Sequence, residues 1–130
     1  MSAILGDMFY TRLTTDATLT ATLSTRVYPY KLPQSPTLPA VSYQVISRVP
    51  TESNTQIFET RVQLDCWATT YDAAHTLANL VQKSLRFYRK TDGNGNRILS
   101  IYDANQGDGY DDDQEIWRVI VDVIATVYEV

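Results

Sequence analysis

The sequence predicts an α+β domain: a mostly antiparallel sheet of about four to five strands with two main helices packed on one face. Two observations carry this. Apolar residues alternate with polar ones through three separate stretches, the period of a half-buried strand. Between and before them, two stretches place apolar residues three and four apart, the period of an amphipathic helix.

Taken in order, Ser2 to Leu13 reads as a helix with Leu5, Met8, Phe9 and Leu13 on one face and Ser2 as its cap. "TTDATLTATLST" offers Asp16 as a second cap, with Leu19 and Leu23 on a short helix. "RVYPYKLPQSPTLPA" holds Pro29, Pro33, Pro36 and Pro39, which neither continue a helix nor sit in a central strand. It reads as a short edge strand around Val27 and Tyr28, then an extended loop. "AVSYQVISRV" sets Val41, Tyr43, Val45 and Val49 on one side and Ser42, Gln44 and Arg48 on the other. "PTESNTQIF" is a turn-rich hairpin loop ending in Ile57 and Phe58, either a contact surface or residues packed on the parent domain.

The strand from Glu59 to Ala68 points Val62, Leu64, Cys66 and Ala68 inward, with Arg61, Gln63, Asp65 and Trp67 opposite. A helix begins near Tyr71, capped by Thr70, with Asp72 in its first turn and a stripe of Ala74, Leu77, Ala78, Val81 and Leu85. Lys83, Arg86, Arg89 and Lys90 follow, cations that suit a helix C-terminus better than a nucleic-acid patch. "TDGNGNR" is a turn by composition. "ILSIYDANQGDGYDDD" starts as a strand and is expected to dissolve into an acidic loop.

The closing "EIWRVIVDVIATVYEV" is apolar on both faces: Trp117, Val119, Val121, Val123, Ala125 and Val127 on one, Ile120, Ile124 and Tyr128 on the other. As one strand it spans roughly 45 Å at ~3.3 Å per residue. Two helices cover one sheet face but hardly two. The second face therefore predicts neighbouring subunits.

At 130 residues the chain is expected to form one domain, spanning 1–130. That length supports a core without metal or disulfide staples. One cysteine forms no internal disulfide and fits a reducing compartment. "MSAILGDMFYTRL" lacks a cationic start and a long apolar run, so no signal peptide is expected. No stretch approaches the ~20 apolar residues of a membrane span. A net charge of −4 argues against gripping phosphates, though it suits a surface that nucleic acid slides past. Nine tyrosines and two tryptophans fit either a tyrosine-rich sheet or protein interfaces.

The candidates for nucleophilic catalysis are Cys66 and His75, the only residues of their kinds. Strand alternation points Cys66 into the core, where a thiol is inert. Helical periodicity puts His75 on a polar face with Asn79, Gln82 and Arg86. A thiol nucleophile needs its base within hydrogen-bond reach, so the pair is not expected to work together. "DANQGDGYDDDQE" fails as a calcium loop: counted from Asp103, Asp108 stands sixth where glycine belongs and Gln114 twelfth where glutamate belongs. No metal, cofactor or catalytic site is expected.

Three stretches taken together carry a resemblance: "RVYPYKLPQSPTLPAVSYQVIS", "TRVQLDCWATTYDAAHTLANLVQKSL" and "IWRVIVDVIATVY". Their order resembles the tail-completion, or tail terminator, proteins of long-tailed bacteriophages and related prophage-like particles. Arg61, Val62, Gln63, Asp65, Trp67, Ala68, Tyr71, Ala74, Leu77, Ala78 and Val81 carry the best match. It spans nearly the whole chain except the "TESNTQ" and "TDGNGN" loops.

What the resemblance implies is a non-enzymatic virion protein assembled in the host cytoplasm. Copies would close into a homo-oligomeric ring, typically of six, at the head-proximal end of the tail. The ring would cap the tail tube protein, stop its polymerisation and offer a docking surface to the head connector. DNA would pass through the bore without sequence-specific binding. Such a ring needs unlike patches that meet, for which the candidates are Ile57 and Phe58, then Trp117 and Ile120. Tyr110, Asp111, Asp112 and Asp113 are assigned to the bore or a docking face. The alternatives are a head-side connector adaptor ring, a small binding module, or a thiol enzyme using Cys66.

Overall fold

The computed structural model describes residues 3–86, 88–112 and 115–130. Its elements are α1 (Ala3–Thr15), α2 (Ala17–Leu23), β1 (Val27–Pro29), β2 (Ala40–Pro50), β3 (Ile57–Ala68), α3 (Tyr71–Leu85), β4 (Arg97–Asp111) and β5 (Ile116–Tyr128). The strands form one five-stranded sheet in the order β1-β2-β3-β5-β4. All neighbours are antiparallel except β1 and β2. The fold is α+β, as the periodicities predict.

Caps fix two helix starts. Asp16 accepts from the Thr18 N–H at 3.0 Å and starts α2; Thr70 accepts from the Ala73 N–H at 3.1 Å and starts α3. Ser2, expected to cap α1, lies outside the described residues. The core is one cluster. Leu5, Met8, Phe9 and Leu13 of α1 and the predicted stripe of α3 meet Val62, Leu64 and Cys66 of β3 and the Val119–Val127 alternation of β5. Leu19 and Leu23 of α2 close one side. The Arg12 Nε–H donates to the Ser84 carbonyl at 3.0 Å and ties α1 to α3.

Two expectations need correcting. Val49 does not share a face with Val41 and Tyr43. A register shift between Val45 and Ser47 inserts an extra residue into β2, so Val49 pairs with Glu59 on the face opposite the helices, and Arg48 turns inward. The second correction is larger. The segment expected to be an acidic loop is strand through Asp111, paired with β5 along its length apart from register shifts at Ile98/Ser100 and Asp103/Asn105. Its own residues give no apolar alternation after Ile101. The pairing groups of β5 hold it, because β5 is long enough to present a ladder along its whole length.

Candidate functional site

The helices pack on one face of the sheet, and no described helix packs on the other. On that open face β3 and β5 hold Arg61, Gln63, Asp65, Trp67, Arg118, Ile120, Asp122 and Ile124, every one half-buried. They reach this by lying across each other. The Arg118 guanidinium sits 5.3 Å from the Trp67 ring centroid and 3.8 Å from Asp65. Arg61 lies 3.8 Å from Asp122, and the Gln63 amide donates to Asp65 at 3.0 Å. The Trp67 indole N–H donates to the Ser42 hydroxyl at 3.0 Å. Burial among these neighbours raises the Asp65 carboxyl above the ordinary carboxylate value, against the lowering pull of Gln63 and Arg118. This face is a mosaic of apolar groups and compensated charges.

The predicted site residues divide between the two faces and the two ends of the sheet. Ile57 and Phe58 are not in a loop; they open β3, opposite Tyr128 and Val127. Phe58 lies under the Arg48 guanidinium, 3.7 Å from its ring centroid, and Arg48 is held by both carboxylate oxygens of Glu129 at 2.6 and 2.9 Å. Ile120 lies on the open face between Asp65 and Gly107. Trp117 faces the helices, half-buried, with Tyr110 beside it at 4.7 Å between ring centroids and Tyr71 edge-on at 5.2 Å. Asp111 ends β4 and Asp112 is in the turn that follows. Asp113 lies outside the described residues. Ile57 and the Trp117 level of the sheet, marked by Ala68, are eleven steps apart on β3, roughly 36 Å at ~3.3 Å per residue.

Sequence reading missed a polar seam between α3 and β4. Arg86 reaches Asp103 at 2.8 Å, the Gln106 amide donates to Gln82 at 3.1 Å, and His75 Nε2 lies 2.8 Å from Asp108. The Tyr71 hydroxyl also donates to Asp108 at 3.1 Å. His75 is therefore half-buried against β4, not turned to open solvent. The signal was present in the helical spacing of Tyr71, His75, Gln82 and Arg86, but its other half was hidden in a segment read as loop.

For catalysis the geometry offers little. Cys66 is fully buried in the core, where burial pushes its thiol far up from the ordinary value. His75 is engaged with Asp108 and Tyr71. Among the described residues no group of three or more histidine, cysteine or acidic side chains could hold a metal. No described helix is long and apolar enough to cross a membrane.

Comparison with known proteins bears directly on this arrangement. A search of curated proteins finds no match. Among solved structures, a chain of the "Virion of native gene transfer agent (GTA) particle" matches with a TM-score of 0.61 and 16% sequence identity, over 93% of this chain and 92% of that one. At that identity the likeness speaks for the fold. A family model described as "Tail completion protein gp17" matches residues 8–128, nearly the whole chain and all five strands. The chain thus belongs to the tail completion protein gp17 family, structural proteins of the phage tail.

Proposed function

We propose that this protein is a tail terminator whose copies close into a ring, six by the resemblance of its motifs, at the head-proximal end of the tail tube. There it stops tube polymerisation and presents a docking surface to the head connector or stopper protein. DNA passes through the bore without being read. The observation that carries the proposal is the open sheet face. Ile120 and Ile124 lie there among arginines whose charges are locally compensated, a surface suited to cover by protein. A net charge of −4 keeps such a ring from clinging to the DNA it surrounds.

The role requires no cofactor and no reaction, and the burial of Cys66 is in keeping with a scaffold. The test is a particle in which the gene is deleted. Tails that overrun their normal length and fail to join heads are expected. Tails of normal length left unjoined would replace this reading with the head-side adaptor. Normal tails that join heads would end both.

A further inference from the structure

An open five-stranded sheet has two edges, and here they are chemically unlike. One is β4. Beyond the single Thr91–Arg97 bridge, no described segment pairs with its far side. From Leu99 to Asp111 it carries neither lysine nor proline, residues that commonly blunt an exposed edge. Its charges there are Asp103, Asp108 and Asp111. The other edge is β2. β1 covers only Val41 to Tyr43; the Tyr30 N–H still donates to the Tyr43 carbonyl, then the chain turns away at a φ of 69°. Among the described residues nothing pairs with Gln44 to Pro50 on that side, and Arg48 is its one charge.

We propose that β4 of one copy adds to the open Gln44–Pro50 edge of β2 in the next copy, so that the sheet continues from protomer to protomer. This rests on the ring reading above and specifies its seam. Charge does not oppose it: Arg48 is held by Glu129, Asp103 by Arg86, and Asp108 by His75 and Tyr71, so no bare like charges meet across the seam.

Direction and register agree. Past their register shifts, β4 runs regularly along β5 from Asn105 to Asp111 and β2 along β3 from Ser47 to Pro50, so the shorter run can lie along the longer. Strands β2, β3, β5 and β4 alternate in direction, so β4 runs opposite to β2. A rotation that preserves strand direction therefore brings them together antiparallel. Joining unlike edges is heterologous, the kind of contact that closes rings. Side-chain facing limits the register. Ser47 pairs with Arg61 and Gly107 with Ile120, so both lie on the open face and can stand opposite each other.

The variant Ser47→Cys/Gly107→Cys tests this. A Cβ at Gly107 meets nothing within 4 Å, and the native Cys66 is buried, so the new thiols are the reactive ones. Facing strand residues fall within the Cα separation a disulfide accepts, roughly 4.4–6.8 Å. Oxidation should give a covalent ladder up to the mass seen under native conditions, collapsing on reduction. Each single variant should stay unlinked. Gln44→Cys and Val49→Cys, each in place of Ser47→Cys, scan neighbouring registers on the same face.

A dimer from Gly107→Cys alone would mean that β4 meets β4, and would overturn the seam. A ring by native mass with no link at any of the three positions would overturn it while leaving the ring standing. A monomer at micromolar concentration would overturn the ring reading itself. Hydrogen exchange on the unaltered protein gives a second measure: assembly should slow exchange across 44–50 and 105–111, and unchanged exchange at both would also reject the seam.

Discussion

Asp65 shows how much a single side chain depends on its surroundings. It is a strand residue on the open face, yet its neighbours bury it enough to raise its carboxyl above the ordinary 3.8. A carboxyl raised in the folded state costs no stability below its unfolded value. The cost appears as pH rises through the folded value. Asp65→Asn keeps an oxygen to accept from Gln63. It should melt at or above the parent at pH 7, with the difference closing below pH 3.8. A variant that melts below the parent at pH 7 would contradict this. Cys66→Ser places a hydroxyl among apolar neighbours, and a loss of about 1–3 kcal/mol is expected by urea denaturation. Assembly should persist; its loss with the fold intact would point to a role for the thiol.

Elements respond on a different principle. α3 starts where Thr70 caps it, and Thr70→Ala should cost about 1 kcal/mol, read as a shifted denaturation midpoint with unchanged slope. In β4 the informative position is Gly109. A Cβ there would come within 3.0 Å of the Arg118 Nε, so Gly109→Ala should push Arg118 off the Trp67 ring while leaving β4 paired. Tryptophan fluorescence reads that displacement, and an unchanged spectrum would show that Arg118 accommodates it. β4 also shows why one element escaped sequence reading. Asp103, Asp108 and Tyr110 face the helix side, where a core strand would carry valine. Alternation reports burial, and here Asp103 is held by Arg86, Asp108 by His75 and Tyr71, and Tyr110 by the Trp117 ring. The flip of Val49 was equally hidden, because a bulge changes the face of every later residue without changing the pattern of letters.

For the whole molecule the decisive contrast is between a covered face and an open one. Ile120→Lys alters only the open face and sets a cation opposite Asp65, so the protomer should stay folded. If copies assemble through this face, its sedimentation should fall to that of a monomer at concentrations where the parent is a ring. An unaltered ring would remove Ile120 from the interface. The predicted candidates behave unequally here. Ile57 and Ile120 lie on the open face, while Phe58 is roofed by Arg48 and Trp117 is flanked by Tyr71 and Tyr110. Being apolar marked all four; only the neighbours decide which apolar groups stay available to a partner.

The sequence by itself determined the α+β class, the inward residues of β3 and β5, the stripe and cap of α3, and the family. These follow from local periodicity and capping, which depend on residues a few positions apart. Only the tertiary structure decided that the acidic stretch is an edge strand, that His75 is engaged by Asp108, and that no described segment covers the two sheet edges along their length and no described helix packs on the second face. Each of those is a pairing between residues distant in the chain, and no local pattern of hydrophobicity encodes which strand lies last in a sheet.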